Sequence, residues 1–237
     1  MEQIVHQLLK TFPKTYSEQL GIDLKSKKPS EIFKWFLAAI LFGKPIQESC
    51  VIKTFNEFRK RKLLTPEKIC EAGWHKLVEA LDAGSYTRYD FSTADKLLEI
   101  MKNLGKAKYL VKIYENSSNE NDLRNRLKNL GKGIGDVTID IFFREMRDIW
   151  HVNPLPSVFT VTAAKNLGLI KSKNPAKALI ELKKIWREVG KGTFVNLETA
   201  LLKLGKNFCR KKKCKICGFQ GICTLKKKGH TLKKKAL

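Results

Sequence analysis

The residues best equipped for chemistry lie near the C-terminus: Cys209, Cys214, Cys217 and Cys223, spaced Cys-x4-Cys-x2-Cys-x5-Cys. Thiolates are soft ligands, and four this close together can enclose one cluster or one metal ion. Loops of unequal length suit a 4Fe-4S cubane held by four cysteines. Structural zinc more often uses two short C-x-x-C knuckles, of which one is present, and zinc stands as the alternative. In an intracellular chain such crowding argues for metal before disulfides. Cys50 and Cys70 stand apart in helix-like contexts and read as buried apolar residues. Arg210, Lys211, Lys212, Lys213 and Lys215 decorate the cysteine loop, where their charge offsets thiolates and faces phosphate.

A second constellation is the run LGKGIGDVT at 130–138, with Gly131, Gly133 and Gly135 at alternate positions between two apolar, helix-like stretches. Glycine permits positive φ and close backbone approach. Ile134 can anchor the turn in a core, which leaves the amides of Gly133 and Gly135 pointing outward with the first amides of the next helix. Such a turn is an anion site suited to one DNA phosphate. Gly131, Lys132, Gly133, Ile134, Gly135 and Thr138 are therefore the candidate DNA-binding residues, joined by Arg210 to Lys213. Nothing in the run reads a base edge, so binding would be independent of sequence.

Net charge supports the same partner. The chain carries 47 basic and 23 acidic residues, a formal charge of +24, and such a surplus repels itself unless a polyanion is expected. Nucleic acid leads and an anionic membrane surface is second. No basic amphipathic helix or lipidation signal favours the membrane. No apolar run is long enough to span a bilayer, and the start MEQIVHQLLKTF lacks a signal-peptide pattern. The expected setting is a reducing intracellular compartment, cytoplasmic and nucleoid-associated or nuclear, and the expected state is a monomer.

The elements that must position these residues read as helices throughout. EIFKWFLAAILFG (31–43) follows a Pro-Ser start and ends at glycine. VIKTFNEFRKRKLL (51–64) is amphipathic; Thr65 and Pro66 open a short helix, and 73–84 forms another. Ser92, with Asp95, is read as the capping box of a helix running to 104. Further helical patterns cover 107–115, 120–130, 136–147, 157–167, 175–189 and 193–208, and no period-two strand emerges. The fold class is all-α. Beyond Cys223 the tail is low-complexity and basic, and is expected to be mobile and attracted to phosphate.

The pattern Leu127-x-x-Leu130-Gly131-x-Gly133-Ile134-Gly135-x-x-Thr138 resembles the helix-hairpin-helix of the endonuclease III superfamily of DNA glycosylases. The resemblance extends over about 25–223, since the cysteine box falls where iron–sulfur members carry theirs, although its first gap is shorter than theirs. It implies two helical lobes with a DNA cleft between them: a helical barrel over 25–149 ending in the hairpin's second helix, and a lobe joining 1–24 to 150–223, with 224–237 as a basic tail. It also implies two catalytic positions. One is a Schiff-base lysine two residues past the last hairpin glycine, where this chain has Val137. The other is an aspartate before a later helix, which falls at Leu155 or its neighbours in PLPSVF, a stretch with no carboxylate.

Other acids stand as candidates. Asp140 follows Val137 by about one turn. Asp148 and His151 lie before the missing aspartate. GSYTRYDFS (84–92) collects Tyr86, Arg88, Tyr89 and Asp90, of which aromatics with arginine can stack an extruded base and Asp90 can accept a proton. An apolar wedge near Leu41–Phe42 would fill the vacated stack. Asp140, Asp90 and Tyr89 are the catalytic candidates. The expected function is a monofunctional base-excision glycosylase on a flipped base in duplex DNA. The alternatives are a catalytically silent damage sensor, or a bifunctional glycosylase/lyase with a relocated nucleophile. An RNA-binding module is a further class, and no stacking-strand motif supports it.

Overall fold

The computed structural model describes residues 1–224, and among them every regular element is helical. The basic tail read at 224–237 lies, from Leu225 onward, outside the described residues. The chain divides into two compact units, one formed by residues 17–154 and the other by 1–16 with 155 onward. The first boundary falls before the expected residue 25 because the intervening segment is tied to the inner unit. Glu145 accepts the Ser17 amide at 2.9 Å, and the Arg59 guanidinium bonds the Leu20 carbonyl.

The chain opens with α1 (Glu2–Thr11) and a short turn, α2 (Tyr16–Gln19). In the unit 17–154, α3 (Pro29–Phe42) is apolar on nearly every side and buries Ile32, Phe33, Trp35, Phe36, Leu37 and Leu41, as a central helix must. Of the helices that follow, α4 (Glu48–Lys60), α7 (Lys108–Glu115) and α9 (Asp136–Trp150) pack on it, while α5 (Pro66–Ala83) packs on α4 and on α6 (Asp90–Leu104), and α8 (Glu120–Lys128) on α7 and α9. Trp35 Nε1 donates to the Phe142 carbonyl at 3.0 Å, and Phe36 meets Phe142 edge-on at 5.2 Å, which locks α3 to α9. Trp150 stacks on Tyr114 at 4.9 Å and fixes the far end of α9 to α7.

The break expected between the short helix opened by Thr65-Pro66 and the one at 73–84 is present: within α5, Gly73 takes φ +73° and ψ 175°, outside helical geometry. Thr65 caps α5 by accepting the Lys68 amide. Two other local readings change. The next helix starts at Asp90, so Ser92 lies inside it and bonds back to the Tyr89 carbonyl, while Asp95 accepts Trp74 Nε1 at 2.8 Å instead of closing a capping box. Cys50 is half-buried and Cys70 exposed, because both fall off the apolar stripes of their helices.

In the other unit, α10 (Val158–Asn166), α11 (Pro175–Val189) and α12 (Phe194–Leu204) pack with α1. Their core joins Val5, Leu8, Val161, Leu182, Leu197 and Leu201. Thr193 and Asn196 cap α12 reciprocally, and Asn174 with Pro175 starts α11. Beyond α12 the chain makes a π-turn over Gly205–Cys209, where Gly205 passes so close to the Phe159 carbonyl that a side chain could not fit.

Candidate nucleic-acid interface and cysteine loop

The end of α3 is where candidate residues of the unit 17–154 gather. The Tyr86 hydroxyl, fully buried, donates to the Leu41 carbonyl at 2.6 Å and brings the 84–90 loop to this point. Burial first, and Tyr89 second, push its phenol well above the ordinary range, so it remains a donor. One residue past Phe42, Gly43 lies against α9: a Cβ there would strike Thr138 Oγ1.

Between α8 and α9 lies the glycine hairpin. Ile134 is 5% exposed and holds the turn down, while Lys132, Gly133 and Gly135 face solvent. Gly133 takes φ +102°, a conformation that favours glycine, and a Cβ there would come within 2.7 Å of Lys96 Cδ on α6. The aliphatic stem of Lys96 therefore lies across the hairpin. Thr138 is 3% exposed and turned toward α3, so its side chain packs rather than reaching for DNA. Close approach of α3 to the first turn of α9 is the cause of that change.

Glu99, one turn beyond Lys96, accepts a hydrogen bond from the Lys132 amide at 3.3 Å. A carboxylate oxygen is thus already held on an amide of the hairpin. Next to this, Lys44 and Lys96 approach within hydrogen-bonding reach of one another. Burial, then Lys96, push Lys44 down to about 8. Two half-buried cations thus face each other beside the hairpin.

The acidic candidates fall in different settings. Asp140 receives Arg124 at 2.7 Å, and the same guanidinium reaches Glu120 at 3.4 Å and lies over Phe143 at 5.0 Å, so Asp140 braces α8 against α9. Asp90 begins α6, accepts the Phe91 amide at 2.7 Å and lies beside Asp82, whose acidity is weakened by desolvation and by that neighbour. Tyr89 is half-buried beside them, with the Arg88 guanidinium over its ring at 5.5 Å and Tyr86 at 6.4 Å. Asp148 is exposed near the other end of α9, about 18 Å along the helix from Asp136. His151 ends the helix in a left-handed conformation. Leu41 is fully buried and cannot serve as a wedge; Phe42 is half-buried against Trp35. Val137 is 64% exposed, an apolar side chain on the first turn of α9.

Leu155, in the other unit, is also apolar and exposed. In that unit the cysteine loop is fastened from several sides: Gln7 Nε2 donates to Gly218 O at 2.8 Å, Phe12 meets Phe208 at 6.3 Å, and the Thr224 hydroxyl donates to the Asn166 carbonyl at 3.0 Å. Cys209 and Cys217 lie against the core beside Phe219. Burial pushes the Cys209 thiol up; a bond with the Asn166 side chain opposes this, and Cys223, Cys217 and Cys214, each within electrostatic reach of Cys209, add to it. None of the four is in a disulfide. Among the described residues no three His, Cys, Asp or Glu side chains converge at ligand spacing. The donor set fits a four-thiolate site in type and number; the loop carrying it is open. Arg210, Lys211, Lys212 and Lys213 are all exposed on this loop, and Arg210 lies over the Phe159 ring at 5.4 Å.

Neither the family models nor the curated proteins contain a match to this chain.

Proposed function

We propose that the chain binds duplex DNA without sequence preference and acts as a base-excision DNA glycosylase. The hairpin carries the reading: exposed amides at Gly133 and Gly135, a carboxylate already seated on the Lys132 amide, and cations at Lys44, Lys96 and Lys132. Amides at a helix start grip one phosphate, and the surrounding lysines add counterion release. A net charge of +24 supports the same partner. The helix-hairpin-helix glycosylase fold implied by the sequence takes DNA in a cleft between two helical lobes, as a monomer in an intracellular compartment. In this reading Cys209, Cys214, Cys217 and Cys223 would hold a 4Fe-4S cluster, with zinc as the alternative. The cluster would supply no step of hydrolysis; its loop would present Arg210 to Lys213 to the backbone.

Base release needs a nucleotide turned out of the stack and a carboxylate near the sugar. Of the acids considered, Asp90 is the better placed. It lies beside Asp82 and next to Tyr89 and Arg88, an aromatic and a cation able to stack and hold an extruded base. Asp140 is taken up by Arg124.

The test is base release from duplexes carrying alkylated, deaminated or oxidised bases, with products resolved with and without alkali. Released base establishes the glycosylase. Tight binding with no release from any lesion would replace it with a damage sensor, the reading that the apolar Leu155 favours.

A further inference from the structure

A cavity of about 550 Å³ opens between α4 and the end of α5. Lys53, Asn56, Glu57 and Lys60, which share one face of α4, line it together with Arg59; Ala83 and Ser85 line it from the end of α5. None of these residues belongs to the glycine hairpin. Three cations meet one carboxylate there, and that carboxylate is taken, since Glu57 pairs with Lys60 at 2.6 Å. Arg59 is fixed in place: it donates to Asn56 Oδ1 at 2.9 Å and to the Leu20 carbonyl, and its guanidinium lies over the Phe55 ring at 5.3 Å. Those two bonds leave other N–H groups of its fork for a ligand. Neither Lys53 nor the Ser85 hydroxyl has a partner among the described residues. Ser85 takes φ +65°, the left-handed conformation in which a helix end ordinarily places glycine. The glycine stands one position earlier because packing demands it there: a Cβ on Gly84 would fall 2.3 Å from the Thr54 Cα. A strained serine is thus kept on the cavity wall, and backbone strain of this kind gathers at ligand clamps.

We infer that this cavity is an anion site for a phosphate ester, separate from the hairpin, with Lys53 and Arg59 as its cations and Ser85 as its hydroxyl donor. The chemistry of the walls selects the ligand. Ala83 is the sole apolar residue among them, so an apolar molecule has little to bury against. A metal cation would meet three positive side chains and a carboxylate already paired. A phosphate oxygen accepts from guanidinium, ammonium and hydroxyl alike. The volume exceeds one phosphate and leaves room for the group it esterifies. Two sources carry this chemistry: a free nucleotide, and a nucleic-acid strand whose backbone runs along α4. Lys53 and Lys60 stand about 10.5 Å apart along the helix axis, near the axial rise of about three nucleotides of one strand. Neither source needs the hairpin to hold DNA, so the inference stands apart from the proposed function.

The test is an amide-resolved NMR titration of the full chain with inorganic phosphate, with adenosine monophosphate and with a short unmodified duplex. Resolved signals separate this cavity from the hairpin and from diffuse attraction to a charge of +24. The expected result is a saturable shift of the Lys53, Ala83 and Ser85 signals with inorganic phosphate. K53M should weaken that binding at least fivefold and leave the hairpin signals as they were. S85G should weaken it about two- to fivefold, yet its melting temperature should fall by no more than about 2 °C, because glycine takes φ +65° without strain. A serine kept for structure alone would leave phosphate binding untouched. The source is read from the other two titrations. If K53M lowers the salt slope of duplex binding by about one, the phosphate belongs to a strand. If the slope is unchanged and the nucleotide is lost from the cavity, the ligand is a free nucleotide. Shifts that do not saturate, shifts confined to the hairpin, or unchanged cavity binding in both variants would each overturn the inference and leave the hairpin reading intact. Cavity shifts without any hairpin shift on adding duplex would keep the inference and overturn the hairpin reading instead.

Discussion

The Glu99 carboxylate accepts the Lys132 amide at 3.3 Å, which seats an anion of the protein's own on the glycine hairpin. In the proposed function a DNA phosphate takes its place. E99Q removes the charge and keeps the shape, so duplex affinity should rise about two- to fivefold at low salt, the scale of one exposed charge contact. Fluorescence anisotropy with a labelled duplex measures it, and the gain should shrink as salt is added. Unchanged or weaker binding would place DNA away from the hairpin.

Gly133 and Gly135 look alike in sequence and differ in the fold. Gly133 has φ +102° and lies under Lys96, whereas Gly135 has an extended backbone and open space where a Cβ would go. G133A should cost about 1–2 kcal/mol in backbone strain alone and lower the melting temperature by about 2–8 °C. It should also displace Lys96 and weaken DNA binding. G135A should leave the melting temperature nearly unchanged. A thermal melt of the two side by side decides it: equal melting temperatures would contradict the left-handed turn at Gly133.

How much of this was legible in the sequence follows from what each signal depends on. The all-helical class and most helix spans follow from apolar spacing and capping residues, which are local, and Thr65-Pro66 and Asn174-Pro175 start helices as their chemistry dictates. Ser92 misled because the same residue can cap a helix or sit in its first turn, and Trp74 claims the Asp95 carboxylate from another helix. Thr138 reads as a hairpin residue, but its side chain is taken by α3, ninety-five positions upstream of it in Gly43. Lys44 and Lys96 are unremarkable among the lysines until the fold sets them together. No periodicity could have paired them, although a lysine just past a helix-ending glycine, beside an otherwise apolar helix, is a weak pointer.

The acids separate by their partners. D140N should cost no more than about 1 kcal/mol, the range of a partly exposed ion pair, and should leave base release intact. D90N should reduce release about 100-fold or more, the usual contribution of a positioned acid–base group, with DNA affinity unchanged. Single-turnover release assays on a duplex already shown to be a substrate distinguish them. The opposite ranking would move the catalytic acid to α9.

The cysteine loop makes a compositional prediction. Protein prepared without oxygen should contain about four iron atoms and little zinc per chain, as a cubane requires. C217S should lower the metal content and weaken DNA binding through the loop that carries Arg210 to Lys213, with helix content retained because the helical cores lie elsewhere. Metal analysis with circular dichroism tests both. Zinc in place of iron would keep the loop's role and change the ion.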